Sequence, residues 1–182
     1  MSVGFHIPEL ETERLRLRLP KASDLDAHLA FRASDGARIV GGPFDAVSSF
    51  HHLESVVGQW HLRGYGRWMV ADRATDEPFG IVGLYHPLDW PEPEIGWTVY
   101  EAAEGRGIAR EAAEASRSFA YDVLGWTRVV SLIRPDNLRS ARLAERMGCR
   151  KDGTHDHAEY GVLDIWVHLA PDEIGSGKGA AA

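Results

Sequence analysis

The sequence predicts a single α/β domain, built on a mixed sheet of about seven strands with flanking helices. Two observations support this prediction. Strand-like and helical patterns follow each other in the order β-α-α-β-β-β-α-β-α-β-β, and no internal repeat or linker divides them. The length of 182 residues also suits one core. We assign the domain to residues 1–172 and a flexible C-terminal tail, rich in Gly and Ala, to residues 173–182.

The first strand and the first two helices are predicted from the N-terminal third. In the strand, leucines alternate with arginines that are expected to face solvent: Leu15, Leu17 and Leu19 against Arg14, Arg16 and Arg18. Ser23, with Asp26 three residues on, opens the first helix. The second helix has apolar residues at helical spacing from Phe50 to Trp60 and ends at Gly64.

The middle of the chain predicts three strands and a long helix. The strands are 68–71, 79–84 and 94–99, and a turn at 75–78 joins the first two. A helix is expected from the glycine-containing segment near residue 105 to Gly125, because apolar residues recur at helical spacing.

The last third predicts a central strand, a short helix and two further strands. Residues 129–133 are apolar and β-branched, which is typical of a buried strand. Asn137 caps a helix that Gly148 ends, with four residues facing inward: Leu138, Ala141, Ala144 and Met147. The final strands are expected at 154–160 and 163–169.

Composition excludes several function classes. The net charge of −7 argues against neutralisation of nucleic-acid phosphates and mildly favours cationic partners such as amines. No apolar run reaches about 18 residues and no leader pattern precedes the first strand. One cysteine, Cys149, cannot form an internal disulfide, and we expect a small buried residue in a cytoplasmic protein.

The segment Glu104-Gly105-Arg106-Gly107-Ile108-Ala109 lies between a predicted strand and a predicted helix. Two glycines there allow backbone amides to converge on one point. The following helix N-terminus adds free N–H donors and the positive end of its dipole. The segment therefore predicts an anion site, and a pyrophosphate is its expected ligand.

Three motifs together resemble the GNAT superfamily of acetyl-CoA-dependent N-acetyltransferases. They are Glu94-Ile95-Gly96-Trp97-Thr98-Val99, the glycine loop with its helix, and Pro135-Asp136-Asn137-Leu138-Arg139-Ser140. The segments 12–18, 64–68 and 80–84 are similar to the branch that contains the ribosomal-protein N-terminal acetyltransferases. The resemblance implies a mostly antiparallel sheet with splayed central strands, with acetyl-CoA as the acyl donor and no metal.

The resemblance also implies a set of cofactor-binding residues. The pyrophosphate would be held by the loop and the first helical turn: Gly105, Arg106, Gly107, Ile108, Ala109 and Arg110. The pantetheine arm would pair with Trp97, Thr98 and Val99, and its slot would be the splay between that strand and residues 129–133. Asn137 would contact the pantetheine end, although its side chain is also a helix N-cap. Glu104 departs from the Gln or Arg that relatives usually have there.

Glu94 and Ser140 are the candidate catalytic residues. The resemblance implies that the acetyl group lies along the strand that Glu94 begins, so Glu94 is the first candidate for the base that deprotonates the amine, with His86 second. Ser140 would protonate the leaving thiolate. A loop carboxylate and a solvated helix serine are the alternative interpretations. Residues proposed to line an acceptor pocket are Trp68, Tyr85, His86 and Trp90.

The function expected from these features is direct transfer of an acetyl group from acetyl-CoA to a primary amine in a ternary complex. The amine is either a protein N-terminus or a small molecule. A non-catalytic acyl-CoA-binding sensor or interaction module is the alternative, and Glu104 motivates it. His155 and His157 share a strand face, but no third metal ligand with suitable spacing is evident. A monomer and a homodimer are both compatible with the sequence.

Overall fold

A computed structural model describes residues 7–176 of the chain. These residues include eight strands: β1 (Leu10–Glu11), β2 (Leu15–Arg18), β3 (Arg67–Asp72), β4 (Pro78–Tyr85), β5 (Glu94–Val99), β6 (Val130–Ile133), β7 (Arg150–His157) and β8 (Gly161–Val167). They also include five α-helices: α1 (Leu25–Ala33), α2 (Ala46–Arg63), α3 (Ile108–Ser118), α4 (Leu138–Arg146) and α5 (Pro171–Ser176).

The strands form one open sheet in the order β1-β2-β3-β4-β5-β6-β8-β7. The β1/β2, β2/β3, β3/β4, β6/β8 and β7/β8 pairs are antiparallel, and the β5/β6 pair is parallel. The predicted α/β domain with a mostly antiparallel sheet is therefore confirmed. The sheet has one strand more than predicted, because β1 is only two residues long and too short to give an alternating pattern.

The chain folds into two compact units. The N-terminal unit comprises the residues up to Gly83 together with Trp97–Ala115, and the C-terminal unit comprises Leu84–Gly96 and the residues from Ser116 onward.

The N-terminal unit has α2 packed on the strands of its sheet. Leu53 and Val56 of α2 form a buried cluster with Met69 of β3 and Ile81 of β4. Trp60 packs edge-to-face on Trp68 with ring centroids 4.7 Å apart, and the Trp68 indole N–H donates to the carbonyl of Pro8 at 2.8 Å. Trp68 is completely buried. It is therefore a core residue and presents no surface to an acceptor, contrary to the prediction.

Gly80 determines how closely β4 and the second half of β5 approach. Its φ is +152°, and a Cβ at this position would lie 2.1 Å from the carbonyl oxygen of Thr98. No other residue fits this contact, because any side chain would collide with the β5 backbone. The Tyr100 N–H donates to the carbonyl of Phe79 at 2.7 Å and continues the pairing beyond β5.

Arg18 contradicts the prediction that the β2 arginines all face solvent. Its side chain is 1% exposed and makes a two-pronged pair with Asp24, at 2.8 and 2.9 Å. Its Nε also donates to Asp76 at 2.8 Å. A guanidinium can be buried when carboxylates satisfy its donors, so alternation of charge along a strand does not by itself indicate exposure.

The C-terminal unit contains β6, β8 and β7, with α4 and the end of α3. Its buried apolar residues include Val129, Val130, Ile133, Leu143, Ala144, Met147, Cys149, Leu163 and Trp166. Burial of Cys149 was predicted and is confirmed; it raises the pKa of the thiol to about 11. Leu138 was expected to face inward but is 60% exposed.

Several predicted boundaries shift in the structure. The helix expected to reach Gly125 ends at Ser118 and continues as one π-helical turn, Phe119–Val123, before Gly125 adopts a φ of +68°. Strand β7 begins at Arg150, earlier than expected, because a bulge between Lys151 and Thr154 interrupts the alternation. The predicted tail begins within α5, and residues 177–182 lie outside the described range.

Candidate active site

The predicted anion site has the backbone geometry expected of it. Gly105 and Gly107 adopt left-handed φ values of +71° and +79°. Helix α3 begins at Ile108, and its first helical hydrogen bond runs from the Glu111 N–H to the carbonyl of Gly107 at 3.2 Å. The amides of Ile108–Arg110 precede that bond and therefore have no acceptor within the helix. These amides and the positive helix end suit a pyrophosphate.

Arg14, in the bend just before β2, braces this loop, a role that the sequence did not suggest. Its Nη1 donates to the carbonyl of Arg106 at 2.9 Å, while its Nε donates to the Glu111 carboxylate at 2.8 Å. Thr12 donates to the other Glu111 oxygen at 2.5 Å. Burial raises the pKa of Glu111, but these hydrogen bonds outweigh it and lower the pKa below its usual value. The carboxylate thus fastens the first turn of α3 to the segment that precedes β2.

A recess of about 460 Å³ lies beside the loop within the N-terminal unit. The Arg106 guanidinium stacks over the ring of Phe79, 4.7 Å from its centroid. The lining includes three guanidinium-bearing residues, which attract anionic ligands, and two carboxylates: Arg14, Arg73 and Arg106 with Glu13 and Asp72.

Glu94 is buried at the start of β5, with 8% of its surface exposed. Its Oε2 accepts a hydrogen bond from the Trp90 indole N–H, and its Oε1 accepts one from the backbone N–H of Leu132 at 3.3 Å. Glu94 is therefore a buried strand residue, whereas the alternative interpretation placed it in a loop; its role as a base stays a prediction. Two N–H donors favour its charged form and fix its orientation.

The β5/β6 ladder is replaced by side-chain hydrogen bonds shortly after it begins. Glu94 pairs with Val130 in register, but the Ile95 carbonyl accepts from the Ser131 hydroxyl at 2.7 Å. The next β6 amide, that of Leu132, is bonded by the Glu94 side chain. Side chains thus satisfy backbone groups where a continuing ladder would pair them, which is the local geometry expected where two strands begin to splay.

Trp90 lies in the loop between β4 and β5 and contacts the predicted residue Tyr85. The two rings are edge-to-face with centroids 5.6 Å apart. His86, between them in sequence, is partly buried. Sequence reasoning missed the other two neighbours of Trp90, which are His157 at 4.9 Å and Tyr160 at 5.9 Å between ring centroids. The only sequence signal was the His155-Asp156-His157 run, which we considered as metal ligands.

Asn137 is the N-cap of α4. Its Oδ1 accepts a hydrogen bond from the Ser140 backbone N–H at 3.1 Å. Both side chains are partly exposed. The predicted capping role is confirmed, and the contact with pantetheine stays a prediction, as does the role of the Ser140 hydroxyl. The roles of Trp97, Thr98 and Val99 likewise stay predictions; all three are partly buried on β5.

Metal-ligand clusters and membrane-spanning helices are both absent from the described part of the chain. Residues 7–176 contain no group of three or more His, Cys, Asp or Glu side chains that could hold a metal ion. No helix in the same range is long and apolar enough to cross a membrane.

Comparison with known proteins identifies the family. The sequence profile of the Acetyltransferase (GNAT) domain matches residues 14–150. An acetyltransferase from Agrobacterium tumefaciens str. C58 is 37% identical, with a TM-score of 0.83 over 93% of this chain and 98% of that one. The Bacillus subtilis protein named "Uncharacterized N-acetyltransferase YoaA" is 29% identical over 80% of this chain and 85% of its own length.

A more distant structure shares the fold alone. It is the ribosomal L7/L12 alpha-N-protein acetyltransferase RimL in complex with coenzyme A, which is 19% identical with a TM-score of 0.66 over 87% of this chain and 95% of that one. The profile match spans most of this chain, and the Agrobacterium protein exceeds 30% identity over nearly all of it. The chain therefore belongs to the GNAT family and is an acyl-CoA-dependent acetyltransferase.

Proposed function

We propose that the protein transfers an acetyl group from acetyl-CoA directly to a primary amine, without a covalent enzyme intermediate. The observation that carries the proposal is the buried carboxylate of Glu94, held by two N–H donors at the start of β5. A base fixed in this way suits deprotonation of an incoming amine, because an ammonium has no lone pair with which to attack.

The assignment of donor-binding residues rests on two kinds of argument, backbone geometry for the pyrophosphate and the family pattern for the pantetheine arm. The left-handed glycines and the amides of Ile108–Arg110 fit a pyrophosphate in charge and in donor direction. We assign the pantetheine arm to the backbone of Trp97–Val99 and its end to Asn137, following the family pattern. Acetyl-CoA supplies the activated thioester; the protein supplies positioning, which contributes much of the rate in such transfers.

Proton transfer is assigned to two residues of the C-terminal unit. Glu94, directly or through a water, takes the proton from the amine, and His86 is the second candidate. Ser140 donates a proton to the departing thiolate; a thiol pKa of about 8.5 makes that help useful but modest. Backbone N–H groups of β5 stabilise the oxyanion that forms on the acetyl carbonyl.

The acceptor is a cation before it reacts. The net charge of −7 favours an amine that arrives protonated. The fold neighbour named as a protein N-terminal acetyltransferase supports a protein N-terminus, and small primary amines have the same chemistry. We further propose that the protein acts in the cytoplasm, as a monomer or homodimer.

The test is release of coenzyme A thiol with a panel of peptides starting with Ser or Ala and of small amines such as benzylamine. Kinetics of Glu94→Gln and Ser140→Ala across pH then follow with the best acceptor. Glu92→Gln and Ser118→Ala are matched controls, since Glu92 pairs with Arg128 and Ser118 is exposed. We expect a loss of about 100-fold or more in kcat for Glu94→Gln and a smaller loss for Ser140→Ala.

Unchanged turnover in both variants would remove these role assignments. Protection of the fold by acetyl-CoA without thiol release for any amine would favour the sensor instead of the enzyme.

A further inference from the structure

The ring of Trp90 is fixed from three sides within the C-terminal unit. Tyr85, His157 and Tyr160 meet it edge-to-face, with interplanar angles of 77°, 69° and 83°. His157 and Tyr160 are themselves stacked, 4.8 Å apart at 29°. The indole N–H on this fixed ring is the one that donates to Glu94. The direction of that bond is therefore set by aromatic packing.

His157 is held in one tautomer. Its Nδ1 accepts hydrogen bonds from the backbone N–H groups of Glu159 and Tyr160, at 3.1 and 3.2 Å. The proton of the neutral ring must then be on Nε2, which donates to Asp89 Oδ2 at 3.0 Å. His157 is 6% exposed, so this geometry is enclosed by protein.

The His157–Asp89 bond joins two segments that otherwise belong to different parts of the unit. His157 ends β7 at the turn before β8, whereas Asp89 neighbours Trp90 in the β4–β5 loop. The bond ties this loop to the hairpin and keeps the Trp90 ring against His157.

We propose that His157 and Asp89 are positioning residues, which hold the Trp90 indole against Glu94 so that the carboxylate meets the acceptor amine in a fixed, charged orientation. This inference rests on the proposed role of Glu94 as the base. Removing the indole donor or its support takes away or weakens a hydrogen bond that orients Glu94, while the bond from the Leu132 amide stays. The carboxylate then rotates more freely and is protonated more readily.

Four variants separate positioning from simple structural support. Trp90→Phe keeps an aromatic ring but removes the N–H. Asp89→Ala removes an exposed acceptor at little cost to folding, since the Asp89 side chain is 62% exposed. His157→Gln removes the ring. His155→Ala is the matched control, because His155 lies on the same strand two residues away and its ring centroid is 6.1 Å from that of His157.

The first measurement needs no acceptor. In a ¹H–¹⁵N spectrum of the full chain, Trp90→Phe identifies the Trp90 indole N–H signal. We expect that signal to shift and to exchange faster with solvent in Asp89→Ala and His157→Gln, and to stay unchanged in His155→Ala. An unchanged signal in both variants would overturn the proposal.

The second measurement is the pH profile of kcat with one saturating acceptor from the panel. We expect the acidic limb to move to higher pH by about one unit in Trp90→Phe, and in the same direction in Asp89→Ala and His157→Gln. The limb of His155→Ala should match that of the natural protein. If the acidic limb of the kcat profile stays in place in Trp90→Phe, Asp89→Ala and His157→Gln while Glu94→Gln is inactive, the positioning role alone is refuted. Full activity of Glu94→Gln would refute the base assignment and this inference together.

Discussion

The guanidinium of Arg14 donates to the carbonyl of Arg106 at 2.9 Å and, through other nitrogens, to the carboxylate of Glu111. One side chain therefore holds both the glycine loop and the first turn of the helix that follows it. In the proposed function the loop amides converge on the donor's pyrophosphate, so the brace would link the segment before β2 to donor binding.

We expect Arg14→Met to raise the KM for acetyl-CoA about tenfold, since it removes charge-assisted hydrogen bonds that fix the loop. The turnover number should change less, because Arg14 supports the proposed donor loop and is assigned no part in proton transfer. Arg38→Met is the control, since Arg38 forms an exposed pair with Asp35 in the same unit. Equal KM values for both variants would show that the loop keeps its shape without the brace.

Gly105 offers a test in which strain is separated from function. Its φ is +71° and no atom lies within 4 Å of the point that a methyl group would occupy, so alanine introduces only backbone strain of about 1 kcal/mol. Gly125 also has a left-handed φ, of +68°, and open space at the Cβ position, but it follows the π-helical turn and lies outside the glycine loop. We expect similar losses of stability to urea in Gly105→Ala and Gly125→Ala. Only Gly105→Ala should weaken acetyl-CoA binding, measured by calorimetry.

Asn137 and Asp45 allow the cap and cofactor roles to be separated. Both are N-caps whose side-chain oxygen accepts from the backbone N–H three residues on, at 3.1 and 2.9 Å. We expect Asn137→Ala and Asp45→Ala to lower the urea midpoint by similar small amounts. If Asn137 also contacts the donor, its variant alone raises the KM for acetyl-CoA, by about tenfold. If the two variants change the urea midpoint and the KM for acetyl-CoA alike, Asn137 acts only as the helix cap.

The features predicted correctly are those that short segments encode. Strand β5 was predicted with its observed limits, and Gly64 and Gly105 adopt the left-handed conformations that only glycine adopts easily. Local chemistry suffices there, because turn and cap residues act on neighbours within a few positions.

The features that were missed depend on pairs far apart in sequence. Arg14 and Arg106 are 92 residues apart, and His157 and Asp89 are 68 apart. Neither pair leaves a period or a motif in the sequence. Arg18 was misplaced for a related reason, since its burial depends on its partners: Asp24, six residues on, and Asp76, 58 residues on. A sequence pattern shows that such a residue is charged, but it does not identify the partner that allows the residue to be buried.

Three histidines, two of them buried and one half-buried, make stability fall on mild acidification. Desolvation lowers the pKa of His28 to about 4, that of His52 to about 2 and that of His168 to about 3. In the N-terminal unit, His28 bonds His52 at 3.2 Å and Tyr100 at 3.1 Å. Each histidine has its lower pKa in the folded state, so the unfolded chain takes up protons first as pH falls through about 6.5. The stabilising contribution is complete above that pH and is lost below it.

We expect the free energy of unfolding to decrease by about 1.4 kcal/mol for each of these histidines when the pH is lowered from 7.5 to 5.5. That range lies above the titration of the carboxylates. Urea unfolding at both values measures the loss. His52→Gln should reduce the difference by the share of one histidine, whereas His51→Ala, on an exposed position of the same helix, should not change it. A pH-independent midpoint in the natural protein would contradict the neutral state of all three.

Asp24 is the residue whose loss should harm folding most without touching the proposed site. It is 1% exposed, receives two hydrogen bonds from Arg18 and accepts the Lys21 N–H at 2.7 Å, which holds the turn before α1. Asp24→Asn leaves a buried guanidinium with Asp76 as its remaining ionic partner, and removing one member of a buried ion pair costs about 3 kcal/mol or more. Asp35→Asn, in the exposed pair with Arg38, should leave the urea midpoint unchanged.

Because Asp76 still satisfies the Nε of Arg18, a double variant that also carries Asp76→Asn should lose more than the sum of the single losses. Additive losses would mean that the two carboxylates act on Arg18 independently.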